Sequence, residues 1–126
     1  MERQTFTEWL EAYKHAWENR DGAAAAALFA DDARYLWGAF SLPLEGRAAI
    51  EAKWNQAVAD ERDITFTYRI AAVDGQVGVN YWHTVYTHVD TGVRIEYDGV
   101  FIITLNDAGL CARFEEWWAE RPVEAG

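Results

Sequence analysis

His83, Asp98 and Glu116 are the residues of this 126-residue chain whose type and neighbours best suit proton transfer. Asp98 sits in a β-run between Tyr97 and Gly99, His83 alternates with Tyr81 and Val85, and Glu116 alternates with Phe114 and Trp118. A carboxyl turned into an apolar cavity loses hydration, which favours its neutral form and lifts its pKa towards neutrality. A histidine facing Asp98 would have its tautomer fixed, and a second carboxyl nearby would push the two pKa values apart. The competing readings are structural: a hydrogen-bonded rim carboxylate, or a core histidine satisfied by one bond. Tyr13, on the apolar stripe of the first helix, must find a partner for its hydroxyl. Trp37, Trp54, Tyr81, Phe114, Glu116 and Trp118 are the candidate substrate contacts.

These residues need a scaffold. Phe6, Trp9, Leu10, Tyr13 and Trp17 recur at helical spacing, and Thr5 with Glu8 reads as a capping box at the start of that helix. Asp21 is placed to cap a second, Ala-rich helix over Ala23 to Phe29. A short strand is expected from Ala33 to Trp37, a loop from Gly38 to Gly46, and a third helix from Arg47 to Ala59. That third helix should carry Ile50, Trp54, Ala57 and Val58 on one side. Four long strands follow: Asp63 to Val73, Val77 to Thr87, and two from Val93 to Trp118 joined at Asn106-Asp107-Ala108-Gly109. Asp74-Gly75 is a hairpin signal. Helices followed by a meander predict an α+β fold, with helices packed on one face of a curved antiparallel sheet.

The totals narrow the function classes. A formal net charge of −10 without a basic stripe opposes nucleic-acid binding. Hydrophobic residues at 51% and seven Trp argue against disorder and for ring-lined space beyond a small solid core. Cys111 stands alone, so it is read as a buried, inert thiol. The N-terminus lacks a signal-type apolar segment and no run suits a membrane span, so the cytoplasm is expected. His15 and His88 are expected in solvent, and three scattered histidines give no metal site. There is no glycine-rich phosphate loop and no nucleophile elbow, so no cofactor is expected. The tail from Pro122 to Gly126 is expected to fray.

Four local patterns then line up in order: Leu28-Phe29-Ala30-Asp31-Asp32-Ala33, Leu44-Glu45-Gly46-Arg47-Ala48-Ala49-Ile50, Asp98-Gly99-Val100-Phe101, and the closing run Ala108 to Trp118. Together they resemble the SnoaL-like branch of the NTF2-like superfamily, over about Phe6 to Trp118, as one domain spanning 1–126. The resemblance implies a cone, its sheet wrapped around the long first helix and a deep apolar cavity at the open end. It also implies a homodimer through the outer sheet face. Tyr97, Phe101, Ile103 and Trp117, with Asn80, Trp82, Thr84 and Tyr86, are expected on that outer face, and Asp98, Glu116 and Trp118 inside.

In ketosteroid-isomerase relatives a helix Tyr and a protonated late-strand Asp hold an enolate oxygen while a second Asp takes the proton. Tyr13 and Asp98 resemble the first two, and the position resembling the base is Trp37, which cannot take a proton. In polyketide-cyclase relatives a cavity His and Asp carry acid–base work, which His83 and Asp98 resemble. The resulting expectation is a cofactor-independent isomerase, lyase or cyclase for a small apolar or aromatic molecule, with His83, Asp98 and Tyr13 catalytic. A non-catalytic binding module and a protein-interaction domain are the alternatives.

Overall fold

A computed structural model describes residues 1–123. Its elements are α1 (Arg3–Glu18), α2 (Gly22–Ala26), β1 (Phe29–Trp37), β2 (Leu44–Glu45), α3 (Arg47–Val58), β3 (Glu61–Asp74), β4 (Val77–His88), β5 (Arg94–Leu105) and β6 (Cys111–Pro122). The strands form one sheet in the order β2-β1-β6-β5-β4-β3. Consecutive strands β3 to β6 pair antiparallel as the turns dictate, but β1 lies parallel to β6. The sheet is therefore mixed, which corrects the antiparallel expectation. The reason is connectivity: α3 intervenes between β1 and the meander, and a crossover through a helix allows parallel pairing.

Local chemistry explains most boundaries. Asp21 caps α2 by accepting from the Ala24 amide, as its position predicts. That helix ends at Ala26, and Phe29 opens β1 instead of closing the helix. The capping box at Thr5 does not form; α1 starts at Arg3, and Thr7 Oγ1 instead donates to the Arg3 carbonyl. Asn106 Oδ1 accepts from the amides of Ala108 and Leu110, and Gly109 takes φ 80°, so the last turn forms where expected. Part of the Gly38–Gly46 loop pairs as β2 against β1. At the far end Pro122 is still in register with Ile95, while residues 124–126 of the expected frayed tail lie outside the described residues.

α1 lies on the concave face and buries Phe6, Trp9, Leu10, Tyr13, Ala16 and Trp17 there. Two polar ties fix its position: Trp9 Nε1 donates to the Leu28 carbonyl, and Glu18 accepts the Phe66 amide. The rings of Tyr13, Phe66, Trp82, Phe101 and Phe114 pack in a continuous cluster with centroids 4.7–6.4 Å apart along it. Such contacts add to the area term for each ring.

Strand register corrects the assignment of faces. Phe101 stands opposite Glu116 and Gly99 opposite Trp118, so Tyr97, Phe101 and Ile103 share the inner face with Glu116 and Trp118. Asn80, Trp82, Thr84 and Tyr86 are likewise buried. Of the face expected to be outer, Trp117 alone is exposed. Asp98, opposite Ala119, belongs to the outer face. The apolar face of β5 turns inward because α1 offers it four large rings, Phe6, Trp9, Tyr13 and Trp17, which outweighs any preference for grouping carboxylates.

Candidate functional site

The cone leaves a cavity of about 240 Å³, lined by residues of α1, β1, β2, α3, β3, β4, β5 and β6. Trp37, Trp54, Trp118 and Tyr13 line it, as the sequence reading expects, and so does Glu116. Lys53 Nζ lies 3.7 Å from the centroid of the Trp37 ring, a cation–π contact at the wall.

Glu116 is the chemical centre of this space. It is half-buried by surface area, yet the surface it keeps faces the cavity rather than bulk water. Burial pushes its carboxyl up to about 8, and a hydrogen bond from Tyr35 partly opposes that rise. Tyr35 is also hydrogen-bonded to Tyr13, and burial holds both phenols well above their ordinary pKa. A carboxylate can only accept, so it is Tyr35 that donates to ionised Glu116. Tyr13, Tyr35 and Glu116 thus form a group of mutually interacting acids at the cavity wall. Phe114 stacks on Tyr35 at 4.6 Å and on Tyr13 at 5.6 Å, fixing both rings from behind. It is fully buried and does not line the cavity, which corrects its expected role as a substrate contact.

A second carboxyl enters the same cavity. Glu61 at the start of β3 is buried, and Trp17 Nε1 donates to its Oε1 at 2.9 Å. Burial pushes this group up to about 7, with Asp60 adding to the rise and Trp17 and Arg20 opposing it. Strand alternation alone would point Glu61 away from Ile64 and Phe66. A register shift between Arg62 and Thr65, with Asp63 at φ 52°, turns it inward. Nothing in the residue types around Glu61 announces that bulge. Tyr35, in contrast, shares strand parity with Trp37, so its placement was open to sequence reasoning.

His83 and Asp98 do meet in register across β4 and β5, but on the outer face. Asp98 is exposed, and both line a recess with Glu96, Ala119, Glu120 and Arg121 that shares no lining residue with the cavity. His83 Nε2 lies 2.8 Å from Glu96 Oε2, and Arg121 binds the other oxygen of that carboxylate. These two partners hold the Glu96 carboxyl below the usual range. Proton exchange in the cavity through His83 and Asp98 is therefore lost. Tyr81 is 46% exposed with Arg69 4.3 Å from its ring centroid, so it too stands outside the cavity. The inverted faces of β4 and β5 account for all three corrections.

His88 is partly buried rather than in solvent, and its Nδ1 is enclosed without a hydrogen-bond partner. Its imidazole and the carboxylates of Asp60 and Asp90 bring ligand atoms within 4.8 Å of one another, though both aspartates are exposed. Cys111 is fully buried, and desolvation raises its thiol pKa, as an inert core thiol requires. Among the described residues no helix is long and apolar enough to cross a membrane.

A family model described as the SnoaL-like domain matches residues 10–114. Among curated proteins no sequence matches significantly. Many solved structures share the fold. SalBIII, described as an epoxide hydrolase/cyclase-like enzyme in pyran ring formation in the polyether salinomycin, is 20% identical with a TM-score of 0.81, over 94% of this chain and 93% of that one. A Catenulispora acidiphila protein with a ketosteroid isomerase-like fold, in complex with trimethylamine, is 16% identical with a TM-score of 0.79, over 89% and 85%. A computationally designed 17-OHP binder is 20% identical with a TM-score of 0.79, over 91% and 95%.

Proposed function

The chain belongs to the SnoaL-like domain family, and within it we propose a cofactor-independent enzyme of the isomerase, lyase or cyclase type, moving a proton on a small apolar or aromatic molecule in the cavity. The observation that carries this reading is Glu116: a carboxyl lifted to about 8, beside Tyr35, in a Trp-lined cavity. At pH 7 such a group is mostly protonated and can donate to a ligand oxygen. Glu61, near 7, is then about half ionised and can accept. Donor and acceptor coexist at one pH, which acid–base catalysis needs. Tyr13, expected to hydrogen-bond the substrate oxygen, lines the cavity and takes that part in this reading. Trp37, Trp54 and Trp118 form walls.

The descriptions of SalBIII and of the ketosteroid isomerase-like protein support an acid–base reading by fold alone. The test is α-proton exchange of 2-tetralone in D₂O, followed by NMR. Wild type is expected to exceed buffer, and Glu116→Gln to lose about 10²-fold or more of the excess. Wild type that binds the ketone yet exchanges no faster than buffer contradicts the enzyme.

A non-catalytic binding module is the second reading. It is favoured by Trp37 at the place resembling the base, and by the designed 17-OHP binder on the same fold. We also infer a homodimer through the outer sheet face and a cytoplasmic location.

A further inference from the structure

α3 carries Ile50, Lys53, Trp54, Ala57 and Val58 at the i, i+3, i+4, i+7, i+8 spacing of one helix face, and all five line the cavity. Four of them are the apolar residues such a face calls for. Lys53 is the exception, and among the described residues lining the cavity it is the only cation. An ammonium drawn in from water needs a partner to replace the hydration it loses.

The protein replaces only part of it. Lys53 Nζ lies 3.7 Å from the centroid of the Trp37 ring, and that ring is anchored because its Nε1 donates to the Leu42 carbonyl at 3.2 Å. A ring face attracts the ammonium but cannot neutralise it, and among the described residues no hydrogen bond or ion pair reaches Nζ. The nitrogen is not walled in; it keeps accessible surface, which the enclosed Trp82 Nε1 does not. The cavity's own acids leave this charge unused. Asp60 and Arg20 are the charges that act on Glu61, and Glu116 answers to burial and to Tyr35. Arg47 on the same helix shows the contrast, since it pairs with Asp31 at 2.7 Å.

We propose that Lys53 recognises a single negative charge on the cavity's ligand, which is a one- or two-ring apolar molecule bearing one carboxylate. The ring system follows from the aromatic walls, and its size from the cavity: 240 Å³ lies below the roughly 300–1,000 Å³ of sites for drug-sized ligands. The single charge follows from the single cation, which matches a monocarboxylate better than a doubly charged phosphate. The inference rests, like the proposed function, on the cavity being the ligand site, but not on catalysis there. Lys53 is then a specificity-determining residue that separates an acid from its neutral counterpart.

Indane-2-carboxylate and indane-2-carboxamide are matched in shape and differ in charge. Binding is read from tryptophan fluorescence at about pH 6, where Glu61 and Glu116 are largely protonated and add little repulsion. Wild type should bind the carboxylate about tenfold more tightly than the carboxamide. Lys53→Met should bring the two within about twofold of each other, and Lys53→Arg should keep most of the preference. The wild-type comparison needs no variant, so a misfolded Lys53→Met does not spoil the test. The proposal is overturned if wild type binds both probes equally or prefers the carboxamide, if Lys53→Met keeps the full preference, or if neither probe binds. A carboxylate preference with no 2-tetralone exchange would sink the enzyme reading and leave this one standing. Exchange with equal binding of the two probes would do the reverse.

Discussion

Glu116 owes its behaviour to what surrounds it more than to its own type. The Trp37 and Trp118 rings beside it offer the ionised carboxylate little, and Tyr35 opposes the effect of burial. A single neutral donor returns less than full hydration does, so the proton stays on to about pH 8. Asp98 shows the reverse. It was the more attractive residue on sequence, because its neighbours on the chain are apolar, yet those neighbours occupy the opposite face. Sequence adjacency in a strand places residues back to back, which is why Tyr97 and not Asp98 lines the cavity. The wall rings Trp37, Trp54 and Trp118 were legible because bulky aromatics at buried parity have few other places to go. Glu61 was not, because its direction depends on the bulge at Asp63.

At the scale of elements, α1, α3, the final turn and the antiparallel meander followed from periodicity and turn chemistry. The parallel pairing of β1 with β6 did not, since it is decided by long-range contact and not by local pattern. The outer face of the sheet now has a different membership from the expected one. It carries Tyr81 and Trp117, 46% and 42% exposed, beside Val100, which pairs with both. Two large rings exposed together on a sheet face are costly in water and suit a self-complementary contact. Sedimentation at micromolar concentration is expected to give twice the chain mass, and Trp117→Lys to shift the equilibrium towards monomer by more than about tenfold. A wild-type monomer under those conditions contradicts the dimer.

The whole molecule should register its two cavity acids as a dependence of stability on pH. Below about 4.5 both Glu116 and Glu61 are protonated in the folded and the unfolded chain alike. As pH rises towards 7 and 8 the unfolded chain releases these protons while the folded one retains them, so the stability they contribute is lost through that window. Glu116 touches the cavity rather than dry protein, so its share is discounted to roughly 2–4 kcal/mol. Glu18 and Glu96, whose pKa values are lowered, act in the opposite sense and matter at acid pH. Urea unfolding of wild type is expected to show a falling midpoint between pH 5 and 9, and Glu116→Gln a visibly flatter one. A wild-type midpoint that rises over that range contradicts the assignment. The central claim, that this chain keeps a carboxylic acid protonated at neutral pH inside an aromatic cavity, is tested most directly by ¹³C NMR of the Glu116 carboxyl. The expected titration midpoint is about 8, moving higher in Tyr35→Phe because the donor to the carboxylate is gone; a midpoint near 4.5, unchanged by that substitution, would contradict it.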